Sequence, residues 1–318
     1  MDVSVIIPVY NAAKYVEKAV ESVLKQPEVR EIILIEDGSD DDSFLICRKI
    51  ASSEEKVRLY RNDGNEGAGP SRNLGIEKAR CPYISFLDAD DWFLPQRFKN
   101  TKKIFLDRED VEAVGEVVGV HYYTEFSEIQ HLQRMKAAKE TALMKEIELG
   151  HTGVEILDNN FKRTLEKLLS GKYGWLHLNG LTVKKSVLDK ISFPNLKIAQ
   201  DVAFIYQLAY RANIYFPQDY SPVAVRGVHG SNRVLNNVER EAPIKLTHFL
   251  FEYFHNEKLN FVEKCLLTAR FLDYYDVEML DAKGAGRKTR KLWILTKLFF
   301  VKPDYVFAYV FCKNDNRI

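Results

Sequence analysis

The stretch YISFLDADDWF, Tyr83–Phe93, places three carboxylates, Asp88, Asp90 and Asp91, directly behind an apolar run. Tyr83, Ile84, Phe86 and Leu87 have the length and composition of a buried strand, and the acids fall at its carboxyl end. Like charges this close repel. A turn explains one of them, whereas a bound divalent cation would convert the repulsion among all three into attraction.

Upstream, Val3–Val9, Glu31–Asp37 and Val57–Tyr60 read as three further strands, separated by helical patterns. Asn11 is placed to cap a helix whose apolar face is Tyr15, Val16, Ala19, Val20, Val23 and Leu24. A second helix starts near Phe44. Pro70 suits the first turn of a third that runs to about Ala79, and Pro95 would open a fourth through about Leu106. This alternation predicts an α/β fold, a Rossmann-like, mostly parallel sheet flanked by helices with right-handed crossovers.

Downstream, Val111–Tyr123 reads as a strand or strand pair, and 126–169 is polar and helix-prone without a definite element. Leu181–Lys190 is a strand followed by a short helix, Asp201–Ala212 an amphipathic helix, and Ile214–Gln218 and Pro222–Val228 closing strands. Beyond about Arg240 the chain is helical, aromatic and basic. The expected division is a catalytic α/β domain over 1–235 and a helical C-terminal extension over 236–318.

The 318 residues are 46% hydrophobic and 29% charged with a formal net charge of +1, so no nucleic-acid partner is indicated. Four scattered cysteines, Cys47, Cys81, Cys265 and Cys312, form no CxxC pair and read as reduced thiols of a cytoplasmic protein. The N-terminus lacks the basic region of a signal peptide. Leu292–Phe311, the most apolar stretch, is broken by Lys297, Lys302, Pro303 and Asp304, so no spanning helix is expected.

Ligands of open α/β sheets bind at the carboxyl ends of the strands. Glu36 and Asp37, then Asp88, Asp90 and Asp91, lie at such ends, and Asp201 opens a helix. The segment GNEGAGPSRNLG, Gly64–Gly75, approaches a dinucleotide fingerprint but has Arg72 at the decisive position and does not follow the first strand, which argues against a dehydrogenase. Arg72 and Asn73 can instead bring a cation and an amide to a phosphate.

SVIIPVYNAAKYVEKAVESVLKQ (Ser4–Gln26), EIILIEDGSDDDS (Glu31–Ser43), NEGAGPSRNLGIEKARCPYISFLDADD (Asn65–Asp91) and AQDVAFIYQL (Ala199–Leu208) together resemble the family 2 glycosyltransferases. The resemblance implies the GT-A fold and an inverting transfer of a sugar from a nucleotide-diphosphate donor to a saccharide or lipid-linked saccharide, with Mn2+ or Mg2+ as cofactor. It puts Pro8, Tyr10 and Asp37 at the base pocket. Asp37 would accept from a ring N–H, which favours a UDP-sugar. Asp88 and Asp90 form the DXD motif, Asp88 toward the ribose and Asp90 on the metal, with Arg72 near the donor phosphates. Asp201 matches the general base, with Gln200 where the family has Glu; a helix N-terminus would keep Asp201 ionised.

By the same resemblance, Asp91, Trp175 and Asn179 stand on the acceptor side, with Gly180 replacing a Lys. His229 is a metal-ligand candidate, with Arg226 and Ser231 as neighbours. In the C-terminal region, Lys283, Arg287, Lys288, Arg290 and Lys291 precede Trp293, Phe299 and Phe300. Two readings stay open there: a peripheral contact with the inner face of the cell membrane, or a helix packed on the catalytic domain. A homodimer is compatible with either. The competing functions are a DXD phosphatase, which lacks its nucleophilic Asp at the end of the first strand, and a catalytically silent nucleotide-sugar binding module, which Gln200 keeps in view.

Overall fold

The computed structural model describes residues 1–125, 128, 164–170, 176–196, 198–229, 242–254, 257–278, 295, 298 and 302–314. The strands are β1 (Val3–Val9), β2 (Val29–Glu36), β3 (Val57–Arg61), β4 (Tyr83–Phe86), β5 (Trp92–Phe93), β6 (Ala113–Gly115), β7 (Val118–Tyr122), β8 (Leu181–Lys184), β9 (Ile214–Tyr215) and β10 (Ala224–Val228). The helices are α1 (Val16–Leu24), α2 (Ser43–Ser53), α3 (Ala68–Lys78), α4 (Lys99–Asp107), α5 (Thr164–Ser170), α6 (Gln200–Arg211), α7 (Ala242–Phe254), α8 (Phe261–Glu278) and α9 (Pro303–Asn314).

All seven residues of β1 are buried, which is why that strand reads as a continuous apolar run and sits inside the sheet. The main sheet has the order β3-β2-β1-β4-β8-β6-β9, parallel through β4, with β8 antiparallel to both β4 and β6. Alternate residues serve opposite faces: Val3, Val5, Ile7 and Val9 join α1 and α2, while Ile6 joins the other core with Phe86, Phe204 and Leu208. Leu246, Phe254, Leu267 and Tyr305 enter that second core, so α7, α8 and α9 share it with the α/β domain. A small sheet, β5-β10-β7, crosses behind the carboxylate loop: β10 runs antiparallel to β5 and parallel to β7.

Two expectations need correction. Asn11 does not cap α1, which starts at Val16; Asn11 lies in the left-handed region with φ 49°. Pro95 does not open α4, which starts at Lys99; it lies in a turn in which Gln96 has φ 61°. Trp175, Ser231 and the basic–aromatic stretch through Trp293, Phe299 and Phe300 lie outside the described residues. Among the described residues no helix is long and apolar enough to cross a membrane. Cys47, Cys81 and Cys265 are buried free thiols.

Candidate active site

The parallel half of the sheet delivers Tyr10, Asp37 and Asp88 to one edge, each just past the end of its strand. Pro8 is buried within β1 and Tyr10 is half-buried at the rim. The loops after β1 and β2 are tied together: the Asn11 N–H donates to Ser39 Oγ at 3.0 Å, and Asn11 Oδ1 accepts from the Asp40 N–H at 2.9 Å. The Asp37 carboxylate accepts from Asn62 Nδ2 at 2.7 Å and from the N–H groups of Glu66 and Gly67 at 3.1 and 2.8 Å. Asp37 therefore anchors the Gly-rich loop that leads into α3, the helix that carries Arg72.

Arg72 is buried and forms an ion pair through Nη2 with Asp88 Oδ1. Its Nε is buried and has no hydrogen-bond partner among the described residues. A buried guanidinium with an unused N–H costs free energy unless a ligand completes it, and a phosphate oxygen is the natural complement. Burial would raise the Asp88 carboxyl, but the charges of Arg72, His177 and Arg226 hold it below the ordinary carboxylate range.

The rest of the acidic loop divides its duties. Asp90 Oδ2 lies 3.1 Å from His229 Nε2, and the His229 ring stacks on Tyr15 with centroids 4.4 Å apart. Asp91 faces inward: its two oxygens accept from the Gly227 N–H at 2.7 Å and from Asn179 Nδ2 at 2.5 Å. Burial pushes the Asp91 carboxyl well up, and the neighbouring Asp90 and Asp88 charges add to it. Asn179 is 0% exposed and also accepts the Asp88 N–H on Oδ1 at 3.2 Å. Asp91 and Asn179 thus brace the loop from within.

Metal-capable donors converge here. One ligand atom each from Asp88, Asp91 and His177 lies within 4.8 Å of the others. Carboxylate and imidazole donors suit Mn2+, and mutually repelling buried carboxylates are the electrostatic setting that a divalent ion relieves. The donor set therefore fits a hard cation, with Asp90 and His229 alongside. His177 escaped the sequence reading. Its signal was a histidine two residues before Asn179. Burial lowers its imidazole to about 4, helped by Arg226 and Arg72 and opposed by Asp88, so it is neutral and able to ligate at physiological pH.

Asp201 lies in the first turn of α6, behind Ala199 at φ 64°. The expectation was that the helix N-terminus keeps Asp201 ionised, and desolvation works against it. Burial raises its carboxyl, outweighing Arg72 and the Val202 N–H, and Asp88 adds to the rise. A raised carboxyl is a stronger base once ionised. Arg72 and Asp88 both lie near enough to Asp201 to act on its charge. Gln200 is buried with Oε1 unpartnered among the described residues, beside Gly69 of α3.

Sequence reasoning also missed the support beneath the loop. Arg97 and Glu116 form a fully buried ion pair at 2.6 Å, and Thr101 Oγ1 donates to the same carboxylate oxygen at 2.5 Å. Arg97 Nε donates to the Asn179 carbonyl at 3.2 Å, so the pair holds the residue that holds Asp88 and Asp91. Gly180, where the resemblance suggested a Lys, has no room for any side chain, since a Cβ there would stand 2.1 Å from the Glu116 carbonyl oxygen. Gly227 is similar, with a Cβ position 2.6 Å from the Asp90 carbonyl oxygen.

Residues 4–161 match the family model described as glycosyl transferase family 2. An uncharacterized glycosyltransferase of Haemophilus influenzae is 37% identical over 114 residues, 36% of this chain and 46% of that protein. Glycosyltransferase GlyG of Streptococcus pneumoniae is 40% identical over 90 residues, 28% of this chain and 30% of that one. The minor teichoic acid biosynthesis protein GgaB of Bacillus subtilis is 30% identical over 210 residues, 64% of this chain and 20% of that one. The matches thus span less than half the length of these relatives. Among solved structures, S. aureus TarS 1-349 in complex with UDP-GlcNAc is 18% identical with a TM-score of 0.53, covering 100% of this chain and 92% of that one. The mannosyltransferase PcManGT of Pyrobaculum calidifontis, in complex with GDP-Man and Mn2+, is 15% identical with a TM-score of 0.53, covering 98% of this chain and 86% of that one. At these identities the structural likeness speaks for the fold, which is GT-A-like.

Proposed function

This chain belongs to glycosyl transferase family 2, and from that premise we propose that it is an inverting glycosyltransferase that takes its sugar from a UDP-sugar and passes it to a saccharide or lipid-linked saccharide. The observation that carries the reading is the buried, unpartnered Nε of Arg72 beside the Asp88 carboxylate, with Asp201 within their electrostatic reach. Arg72 donates to the diphosphate. Tyr10 and Pro8 pack against the base, and the Asp37 carboxylate, already tied to the Gly-rich loop, forms the polar end of that pocket. The relative named for teichoic acid biosynthesis, and the neighbour solved with UDP-GlcNAc, are in keeping with a UDP donor and a cell-envelope acceptor.

Asp88, Asp91 and His177, whose ligand atoms converge, together with Asp90 and its neighbour His229, would hold a divalent ion, Mn2+ or Mg2+. Bound there, the ion supplies Lewis-acid stabilisation of charge on the departing diphosphate. Asp201 accepts the proton of the acceptor hydroxyl as that oxygen bonds to the anomeric carbon. The bond from that carbon to the diphosphate oxygen breaks, UDP leaves with the electron pair, and the configuration inverts. The silent binding module differs in one respect, that nothing turns over. Incubating the chain with a panel of UDP-sugars and Mn2+ and measuring released UDP tests the reading: release that Asp90→Ala abolishes supports it. No release from any donor, or release unchanged in Asp90→Ala, contradicts it.

A further inference from the structure

A second concavity lies outside the carboxylate rim. It is a cavity of about 760 Å3 between α1 and the segment running from β5 toward α4, inside the range of about 300–1,000 Å3 usual for ligand pockets. Trp92, Leu94, Pro27 and Pro95 give it an apolar wall. Lys18, Lys25, Lys99 and Lys102 also line it, against only Glu21 and Glu28. Lys102 is engaged with Glu28 at 3.6 Å, and Lys18 Nζ sits 3.1 Å from the centre of the Trp92 ring. Lys25 and Lys99 make no ion pair within 4 Å among the described residues, although the Lys99 charge acts on Asp219.

The cavity floor is built from buried polar side chains. Gln26 donates to the carbonyls of Ser22 and Leu94 at 3.0 and 3.1 Å and accepts the Arg97 N–H at 3.0 Å. Ser22 Oγ accepts the Phe93 N–H at 2.9 Å. The segment held this way includes Gln96 at φ 61°, a conformation that costs a non-glycine residue free energy and gathers at functional sites. Trp92 directly follows Asp91, and a train of ring contacts leads back to the acidic loop. Trp92 to His121 is 5.5 Å, His121 to Tyr123 5.1 Å and Tyr123 to His229 5.9 Å, and His229 reaches Asp90.

We propose that this cavity is an acceptor subsite for an acidic saccharide, in which a sugar ring packs on the wall of Leu94, Pro27 and Pro95 beside Trp92 while its phosphate or carboxylate group is met by Lys25 and Lys99. An apolar wall suits the apolar face of a sugar ring, and the excess of lysines over glutamates around it favours an anion. The assignment to the acceptor rests on the transferase reading above; the binding of an anionic saccharide here does not.

Trehalose 6-phosphate, trehalose and inorganic phosphate serve as probes, titrated into the full chain while the indole N–H resonance of Trp92, identified by its absence in Trp92→Phe, is followed by NMR. The expected result is a saturable shift with trehalose 6-phosphate at an affinity about tenfold or more above that of trehalose or phosphate. The shift is lost in Lys25→Glu/Lys99→Glu, whose UDP binding is unchanged. No saturable shift overturns the proposal. So does equal affinity for trehalose, which removes the charge from the argument, or for inorganic phosphate, which removes the sugar. UDP binding to the unmodified chain is measured separately: its absence beside a sound trehalose 6-phosphate response counts against the donor site and leaves this cavity standing.

Discussion

Replacing Arg97 by Met should unlatch the acidic loop. Arg97 is wholly buried, and its guanidinium serves Glu116 at 2.6 Å and the Asn179 carbonyl at 3.2 Å, lying 4.9 Å from the centre of the Phe98 ring. Methionine keeps the apolar contact and removes these polar ones, together with the 3.4 Å contact from Nη2 to Thr182 Oγ1. Stranding one partner of a buried ion pair costs about 3–5 kcal/mol. The Asn179 carbonyl adds about 1 kcal/mol for its lost hydrogen bond. Set against a total stability of about 5–15 kcal/mol, the loss is large. With a urea slope of about 3 kcal/mol per molar, the unfolding midpoint at pH 7.5 should fall by at least about 1 M.

The pH dependence sharpens the test. Burial already raises the Glu116 carboxyl against the pull of Arg97, and removing Arg97 raises it further. A folded carboxyl that titrates above its unfolded value binds more protons than the unfolded chain in the window between the two. Stability therefore falls as pH rises through that window and recovers as pH drops toward the unfolded value of about 4.3. Arg97→Met should thus be closest to the parent near pH 5 and furthest from it above pH 7. Arg97→Met/Glu116→Leu, with no stranded charge, should regain most of the loss. A single variant within 1 kcal/mol of the parent at pH 7.5, or a double variant worse than the single, would refute the reasoning.

Because burial raises Asp201, kcat/KM should fall with decreasing pH through an apparent pKa above that of a free carboxylate, and Asp201→Asn should lose about 100-fold or more in kcat, measured by UDP release; an acid limb that persists unchanged in Asp201→Asn contradicts its role as base. Gly180→Ala should cost about 1–3 kcal/mol in urea unfolding, because its Cβ would stand 2.1 Å from the Glu116 carbonyl oxygen; a neutral effect would mean that the two segments separate readily. Arg72→Ala should weaken UDP binding by about tenfold or more in calorimetry, with UDP affected more than uridine, since the lost N–H groups face the diphosphate; an equal loss for uridine would move Arg72 away from the phosphates.

The parallel half of the fold was legible because its inner strands, β1 and β2 above all, are buried on both faces and so read as apolar runs. The acids at the ends of β2 and β4 and Arg72 were legible because chemistry-bearing residues stand out at strand ends. What escaped depends on partners distant in sequence. β8 inserts antiparallel between β4 and β6, a pairing that no local pattern encodes. The Arg97–Glu116 pair lies inside what reads as an ordinary helix start and a strand end. Pro95 suggested a helix boundary, but the Arg97 N–H is taken by Gln26 and the chain turns once more before α4. Asp201 showed its helix position but not the desolvation that raises its carboxyl. Asn179 was singled out, yet its 0% exposure makes it a brace.

The most direct test is a crystal of the full chain soaked with UDP and Mn2+, with anomalous data collected at the manganese edge. The account predicts one peak among Asp88, Asp90, Asp91 and His177, beside a diphosphate that takes the free N–H of Arg72, with the uracil toward Tyr10. Manganese density away from the acidic loop, or a nucleotide bound with its diphosphate remote from Arg72, would contradict it.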